Sequence, residues 1–199
     1  MNKRVAVLVS GGGRSLENLY KRCADGTLDA ELALVVSNRS DAYALERAAR
    51  LELPSEIIDP ERELPPEDFS RAVFDAAESA DCSLIVLAGF LRFLPIPRDW
   101  EGRVLNIHPS LLPAFGGKGY YGDRVHAAVL ERGVKFTGCT VHYVDNVYDN
   151  GPILVQRAIE VLPDDDVSSL GARVFEEEKH ALPDAINAHF KAAAAAPAS

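Results

Sequence analysis

Residues Val5 to Val9 read Val-Ala-Val-Leu-Val, an apolar and largely β-branched run that is closed at once by Ser10-Gly11-Gly12-Gly13. A run of this kind suits a strand buried on both faces, which is the strand of a parallel sheet with helices packed above and below it. Leu16, Leu19 and Tyr20 then recur at helical spacing. The chain therefore opens as strand, glycine turn, helix, and the same alternation continues. Strands are expected at Leu32 to Val36, Ile57 to Ile58, Leu84 to Ala88 and Arg103 to Ile107, with helices over Tyr43 to Ala49 and Glu67 to Ala80. This is the pattern of an α/β, Rossmann-like sheet.

The second half changes character. After a helix at Val125 to Leu130, two strands, Thr137 to Val144 and Ile153 to Val161, are separated only by the turn residues Asp145 to Pro152, so they pair antiparallel. A last helix spans Val167 to Phe190, and the alanine-rich stretch 192–199 reads as a frayed tail. Residues 1–191 thus form one mostly parallel domain with antiparallel C-terminal strands.

Composition narrows the function. With 21 Lys and Arg against 30 Asp and Glu, the net charge is −9, which disfavours nucleic-acid backbone as a partner. A small anionic ligand remains compatible, because a local pocket can oppose the global sign. The three cysteines are widely spaced and form no CxxC pair, so neither a disulfide framework nor a zinc site is expected. The N-terminal apolar run is too short for a signal or a membrane span. These features fit a cytoplasmic protein.

Three segments carry candidate chemistry. Gly11, Gly12, Gly13, Arg14 and Ser15 enter a helix, where free N–H groups and an arginine suit a phosphate, although a plain strand-to-helix turn needs the same glycines. Leu16 stands where a dinucleotide fingerprint requires glycine. In Asn106-Ile107-His108-Pro109, period-two geometry places Asn106 and His108 on one side of a strand end, where open α/β sheets hold ligands. A histidine satisfied within a turn is the alternative. Asp149-Asn150-Gly151-Pro152 is a strong turn signal in which a lone aspartate is more often structural than catalytic. Leu91, Arg92, Phe93 and Leu94 follow the fourth strand and fit either core packing or a planar ligand. His142, His180 and His189 read as packed or surface side chains.

Taken in order, VAVLVSGGG, VVSNRSDAYALERA, IVLAGFLRFL, VLNIHPSLLPAFGGKG, TGCTVHYVDNVYDNGPIL and ARVFEEEKHALP resemble the phosphoribosylglycinamide formyltransferase family over Val5 to Ile186. NIHPSLLP followed by DNGPI is its most specific signature. The resemblance implies formyl transfer from 10-formyltetrahydrofolate to glycinamide ribonucleotide, without a metal, by a monomer or homodimer. It implies Asn106, His108 and Asp149 as catalytic positions. Direct attack at those positions calls for Asn106 and a protonated His108 to donate to the oxyanion, with Asp149 keeping the imidazole cationic and holding a proton-relaying water. It places the ribonucleotide phosphate on Gly11 to Ser15 and the substrate near Pro109 and Glu178. The folate falls against Leu91 to Leu94 with main chain around Val144 to Asp149, Val144, Asp145 and Val147 among it. Related enzymes with an added RNA-binding or regulatory domain are longer than this chain, which favours the small-molecule reaction. Three segments depart from the pattern: Arg14-Ser15 replaces a polar pair, Glu63-Leu64-Pro65-Pro66-Glu67 lacks an arginine that many members use, and Gly116-Gly117-Lys118-Gly119-Tyr120-Tyr121-Gly122 differs from the better-known form of that loop.

Overall fold

The computed structural model describes residues 2–59 and 61–195. One seven-stranded sheet has the order β3-β2-β1-β4-β5-β6-β7. Strands β1 (Arg4–Val9), β2 (Glu31–Ser37), β3 (Ser55–Ile57), β4 (Leu84–Leu87) and β5 (Val104–His108) are mutually parallel. Strands β6 (Phe136–Tyr143) and β7 (Ile153–Glu160) complete the sheet antiparallel. The short connection between the last two strands leaves no room for a crossover, which is why the pairing changes hand there.

Helices α1 (Arg14–Ala24), α2 (Tyr43–Arg50), α4 (Asp123–Arg132) and α5 (Val167–Ala195) contribute to the apolar layer on one face. Helix α3 (Pro66–Ser79) and a single 3-10 turn at Arg98–Trp100 cover the other. Side chains of β1 divide accordingly: Val5, Val7 and Val9 face the four-helix layer, and Ala6 and Leu8 face α3. Fully buried Leu16 and Leu19 anchor α1, each worth about 1.5–3 kcal/mol relative to exposure.

The expected elements are present with shifted ends. Strand β3 begins two residues earlier than Ile57 and omits Ile58; it is an exposed edge strand, where no buried face enforces register. Strand β5 includes His108, so the catalytic candidate lies in the ladder itself. Helix α4 extends on both sides of Val125 to Leu130. Helix α5 continues through Ala195, so residues 192–195, expected to be frayed, are helical, as alanine favours; residues 196–199 of that tail lie outside the described residues.

Helix α5 also carries Pro183, which cannot donate to the Lys179 carbonyl four residues back. Asn18 of α1 donates to that carbonyl at 2.9 Å instead, so a helix defect becomes the tie that sets α5 against α1. At the N-terminus of α1, Gly13 adopts φ 73°, and a Cβ there would lie 2.8 Å from the Ala44 Cα of α2. Only glycine permits both the conformation and the approach.

Candidate active site

Strand β5 ends at His108, and the antiparallel register of β6 puts His142 directly beside Asn106. The loop after β6 folds back over this face and brings Asp149 to the same point, in a left-handed conformation with φ 53°. Asn106, His108, His142 and Asp149 thus converge, although no two lie closer than two residues in sequence. Gly116 makes the approach possible: a Cβ there would lie 2.5 Å from the Leu112 Cδ2 and 3.3 Å from the Asp149 Cβ.

The polar contacts assign protons. His108 Nε2 lies 2.9 Å from the Phe115 carbonyl, which can only accept, so Nε2 carries a hydrogen. His108 Nδ1 then faces Asp149 Oδ2 at 3.6 Å. His142 Nδ1 likewise donates to the Tyr143 carbonyl at 2.9 Å, leaving its Nε2 to accept from the Asn106 amide at 3.1 Å. The second amide hydrogen of Asn106 points to Asp149 Oδ1 at 3.4 Å, at the weak end of hydrogen-bond geometry. Gly117 N–H donates to Asp149 Oδ2 at 2.8 Å.

Burial pushes the His108 imidazole below its ordinary value, and the opposing pull of Asp149 does not restore it. The expected cationic His108 is therefore corrected: the resting imidazole is neutral, because its side chain is only 5% exposed and losing water outweighs one carboxylate. Burial alone would raise the Asp149 carboxyl. The adjoining His142 and His108 imidazoles and the Gly117 N–H outweigh that effect and hold it below its usual range. The resting pair is an ionised Asp149 beside a neutral His108 with a free Nδ1 lone pair.

These groups open into a cleft of about 380 Å³. Leu91, Arg92, Phe93, Leu94, Val144, Asp145 and Val147 all line it, together with Pro109. Phe93 and Tyr148 meet across it with ring centroids 5.0 Å apart, joining the loop after β4 to the loop after β6. Arg92 borders the cleft, but its guanidinium is committed elsewhere. It pairs with Asp59, donates to the Leu64 carbonyl and stacks 3.7 Å over Phe69. It therefore braces the segment before α3, the segment in which the sequence lacks the usual arginine.

Gly11 to Ser15 and Glu178 lie outside this cleft. The turn leads into α1, where Gly11 and Gly12 are exposed and no side chain caps the helix. Arg14 stacks 4.2 Å over Phe175 of α5. Glu178, one helical turn further along the same helix, is half-buried, and its carboxyl is pushed up to about 7 by burial, with the Arg14 charge opposing. The structure brings the three catalytic candidates together with every folate-side candidate, and places the turn and Glu178 in a neighbouring region.

His142 lies outside the site expected from sequence, while Tyr148 falls within the stretch Val144 to Asp149 expected beside the folate. His142 sits in an alternating apolar strand and reads as packed; only its pairing opposite Asn106 brings it into the site. Among the described residues, no group of three or more His, Cys, Asp or Glu side chains is placed to hold a metal ion. Among them, too, no helix is long and apolar enough to cross a membrane.

The formyl transferase family matches residues 3–186. A chloroplastic phosphoribosylglycinamide formyltransferase from Arabidopsis thaliana is 38% identical over 88% of this chain and 61% of its own length. The chain spans about three fifths of the length of such plant relatives. A phosphoribosylglycinamide formyltransferase from Haemophilus influenzae is 34% identical over 91% of this chain and 84% of its own length. Among solved structures, glycinamide ribonucleotide transformylase 1 from Symbiobacterium toebii superposes with a TM-score of 0.86 at 38% identity, covering 93% of this chain and 86% of that one.

Proposed function

Because the chain belongs to the formyl transferase family, we propose that it transfers the formyl group of 10-formyltetrahydrofolate to the primary amine of glycinamide ribonucleotide, a step of purine synthesis. The observation that carries this reading is the convergence of Asn106, His108 and Asp149 at one end of a cleft whose walls are the folate-side residues. Both substrates are diffusible small molecules, which suits a reaction in the cytoplasm.

The amine attacks the formyl carbon directly, and a tetrahedral intermediate forms. Asn106 donates to its oxygen by giving up the long contact to Asp149, while its contact with His142 keeps the amide plane in place. Losing one such donor lowers turnover by about 10²–10³. The amine must also lose a proton. Neutral His108 with a free Nδ1 beside ionised Asp149 is built to receive it, and the resulting imidazolium is stabilised by that carboxylate. The same proton then serves the departing folate nitrogen, so proton and formyl group balance over one turnover. No covalent enzyme intermediate is needed.

In this reading the folate lies against Leu91, Phe93, Leu94, Val144 and Val147, and the ribonucleotide phosphate sits on the N–H groups of the glycine turn. Glu178 meets the amine-bearing substrate, whose single amine, while still an ammonium, would ionise it before losing that proton and attacking. Purified protein mixed with 10-formyltetrahydrofolate should release tetrahydrofolate only when glycinamide ribonucleotide is added, and Asn106→Ala should slow that release by about 10²–10³. Release without the amine would assign a hydrolase, and no release from folded protein under either condition would overturn the reading.

A further inference from the structure

The strand order runs outward from β1 to β3 and then returns to β4 and β5, so the carboxyl ends of β1 and β4 flank the point where the topology reverses. Open α/β sheets place their ligands at this crevice. Here one side chain, belonging to neither the glycine turn nor the catalytic cluster, spans it. Ser10 follows β1; its N–H donates to the Gly89 carbonyl at 3.1 Å. Its Oγ accepts the Leu91 N–H at 2.9 Å, and its hydroxyl donates to Asn38 Oδ1 at 2.6 Å.

Leu91 N–H, the Ser10 hydroxyl and the Asn38 carbonyl therefore form one directed chain, in which each bond polarises the next. Ser10 is 3% exposed and Asn38 is fully buried, so the Ser10–Asn38 bond is shielded from solvent, while Leu91 at the other end is exposed. Gly89 and Leu91 line the cleft. On the other side of Ser10, Gly11 and Gly12 are exposed, and a Cβ on either would meet nothing within 4 Å. Gly13, by contrast, is locked against Ala44. The exposed tip of the turn has room for an anion, while the turn is held by the Ala44 N–H on the Gly11 carbonyl and by the close packing of Gly13. The leading flank is Ser10, whose N–H and Oγ bond the folate-side loop at Gly89 and Leu91 and whose hydroxyl donates to Asn38.

We propose that Ser10 is a positioning residue that couples the glycine turn to the loop 89–94, so that an anion seated on the turn tightens the cleft for its planar ligand. Coupling of this kind is reciprocal, so the cleft ligand equally tightens the turn. The identity of the two ligands rests on the functional reading above, but the linkage does not. Alanine at position 10 removes both bonds of the hydroxyl; threonine keeps them.

The test compares the full-length protein with Ser10→Ala and Ser10→Thr. Hydrogen exchange at the Leu91 amide is followed with and without inorganic phosphate. In the parent protein and in Ser10→Thr, phosphate slows Leu91 exchange; in Ser10→Ala the amide exchanges faster and phosphate has no effect on it. Calorimetry with the non-reacting analogue 5,8-dideazafolate supplies the second arm. Glycinamide ribonucleotide should tighten its binding roughly threefold to tenfold, the scale of one net hydrogen bond, in the parent only and with rescue by threonine. Leu91 exchange that ignores phosphate in the parent, or responds equally in Ser10→Ala, overturns the proposal. If exchange behaves as expected while neither the ribonucleotide nor the folate analogue binds, the coupling stands and the substrate assignment falls.

Discussion

The two regions that flank the carboxyl edge of the sheet are built on opposite plans. Around Asp149, a carboxylate only 11% exposed has four polar neighbours drawn from β5, β6 and the loop at Gly117. Around Gly11 and Gly12 the backbone is exposed, no side chain caps the helix end, and the exposed Arg14 lies on an aromatic ring. The first region is preorganised, as transition-state stabilisation demands, because donors fixed in advance need not reorganise when charge develops. Under the proposed function the second seats a ground-state anion, for which the free N–H groups of the turn suffice. The contrast teaches that chemistry and anchoring ask different things of one sheet edge.

Variants can break this contrast, and Asp149→Asn should do so most severely. It keeps shape but removes the charge that accepts from Gly117 and faces His108, and kcat should fall by about 10²–10³ in steady-state assays. The same variant reports on pH. His108 must be neutral to take up a proton, so activity should fall as pH drops through its depressed value, below the ordinary 6.5. Asp149 opposes that depression, so its loss should move the acid limb still lower. An unmoved limb would remove His108 from the proton path.

Gly116→Ala should act next. The added Cβ meets the flexible end of Leu112 and presses on Asp149, so overpacking is expected to cost about 1–3 kcal/mol in denaturant unfolding. Turnover should fall roughly tenfold, as for a displacement smaller than those that cost a hundredfold. Full activity in this variant would mean that Asp149 tolerates displacement. Arg14→Ala tests the open region and should be milder. The KM for the ribonucleotide is expected to rise about twofold to fivefold with kcat unchanged, because a helix-end charge contributes little and binds ground and transition states alike. A fall in kcat instead would extend the preorganised region to the turn.

The smallest effect concerns Glu178. Its carboxyl is raised from 4.5 to about 7, so the folded state binds a proton that the unfolded state releases. That stabilisation is complete below the ordinary value of 4.5 and is lost as pH rises through about 7. Glu178→Gln should therefore gain stability relative to the parent between pH 5 and 8, read from urea midpoints. Parallel profiles would show that Glu178 is ionised throughout.

Much of this architecture was legible in the chain. The β-branched run at Val5 to Val9, the glycine turn and the helical spacing that follows it act over a few residues, where sterics and periodicity decide. Asn106 and His108 share a side because strand residues alternate, and the same rule sends Ile107 to the opposite face, where it packs in the four-helix layer. The shift of β3 was not legible, because an exposed edge strand has no buried face to mark its ends.

What the sequence determined by itself was therefore local: the strands and helices, the turn residues, and a set of motifs whose joint order resembles one enzyme family. The tertiary structure decided what depends on partners distant along the chain. Register between β5 and β6 set His142 beside Asn106, and the desolvation of that joint turned an expected cationic His108 into a neutral one. The ion pair to Asp59 took Arg92 out of the cleft's free charges, and the meeting of β1 with β4 placed Ser10 between two loops. Periodicity says which way a side chain points from its own strand; only packing says what it meets, and the protonation state follows from what it meets.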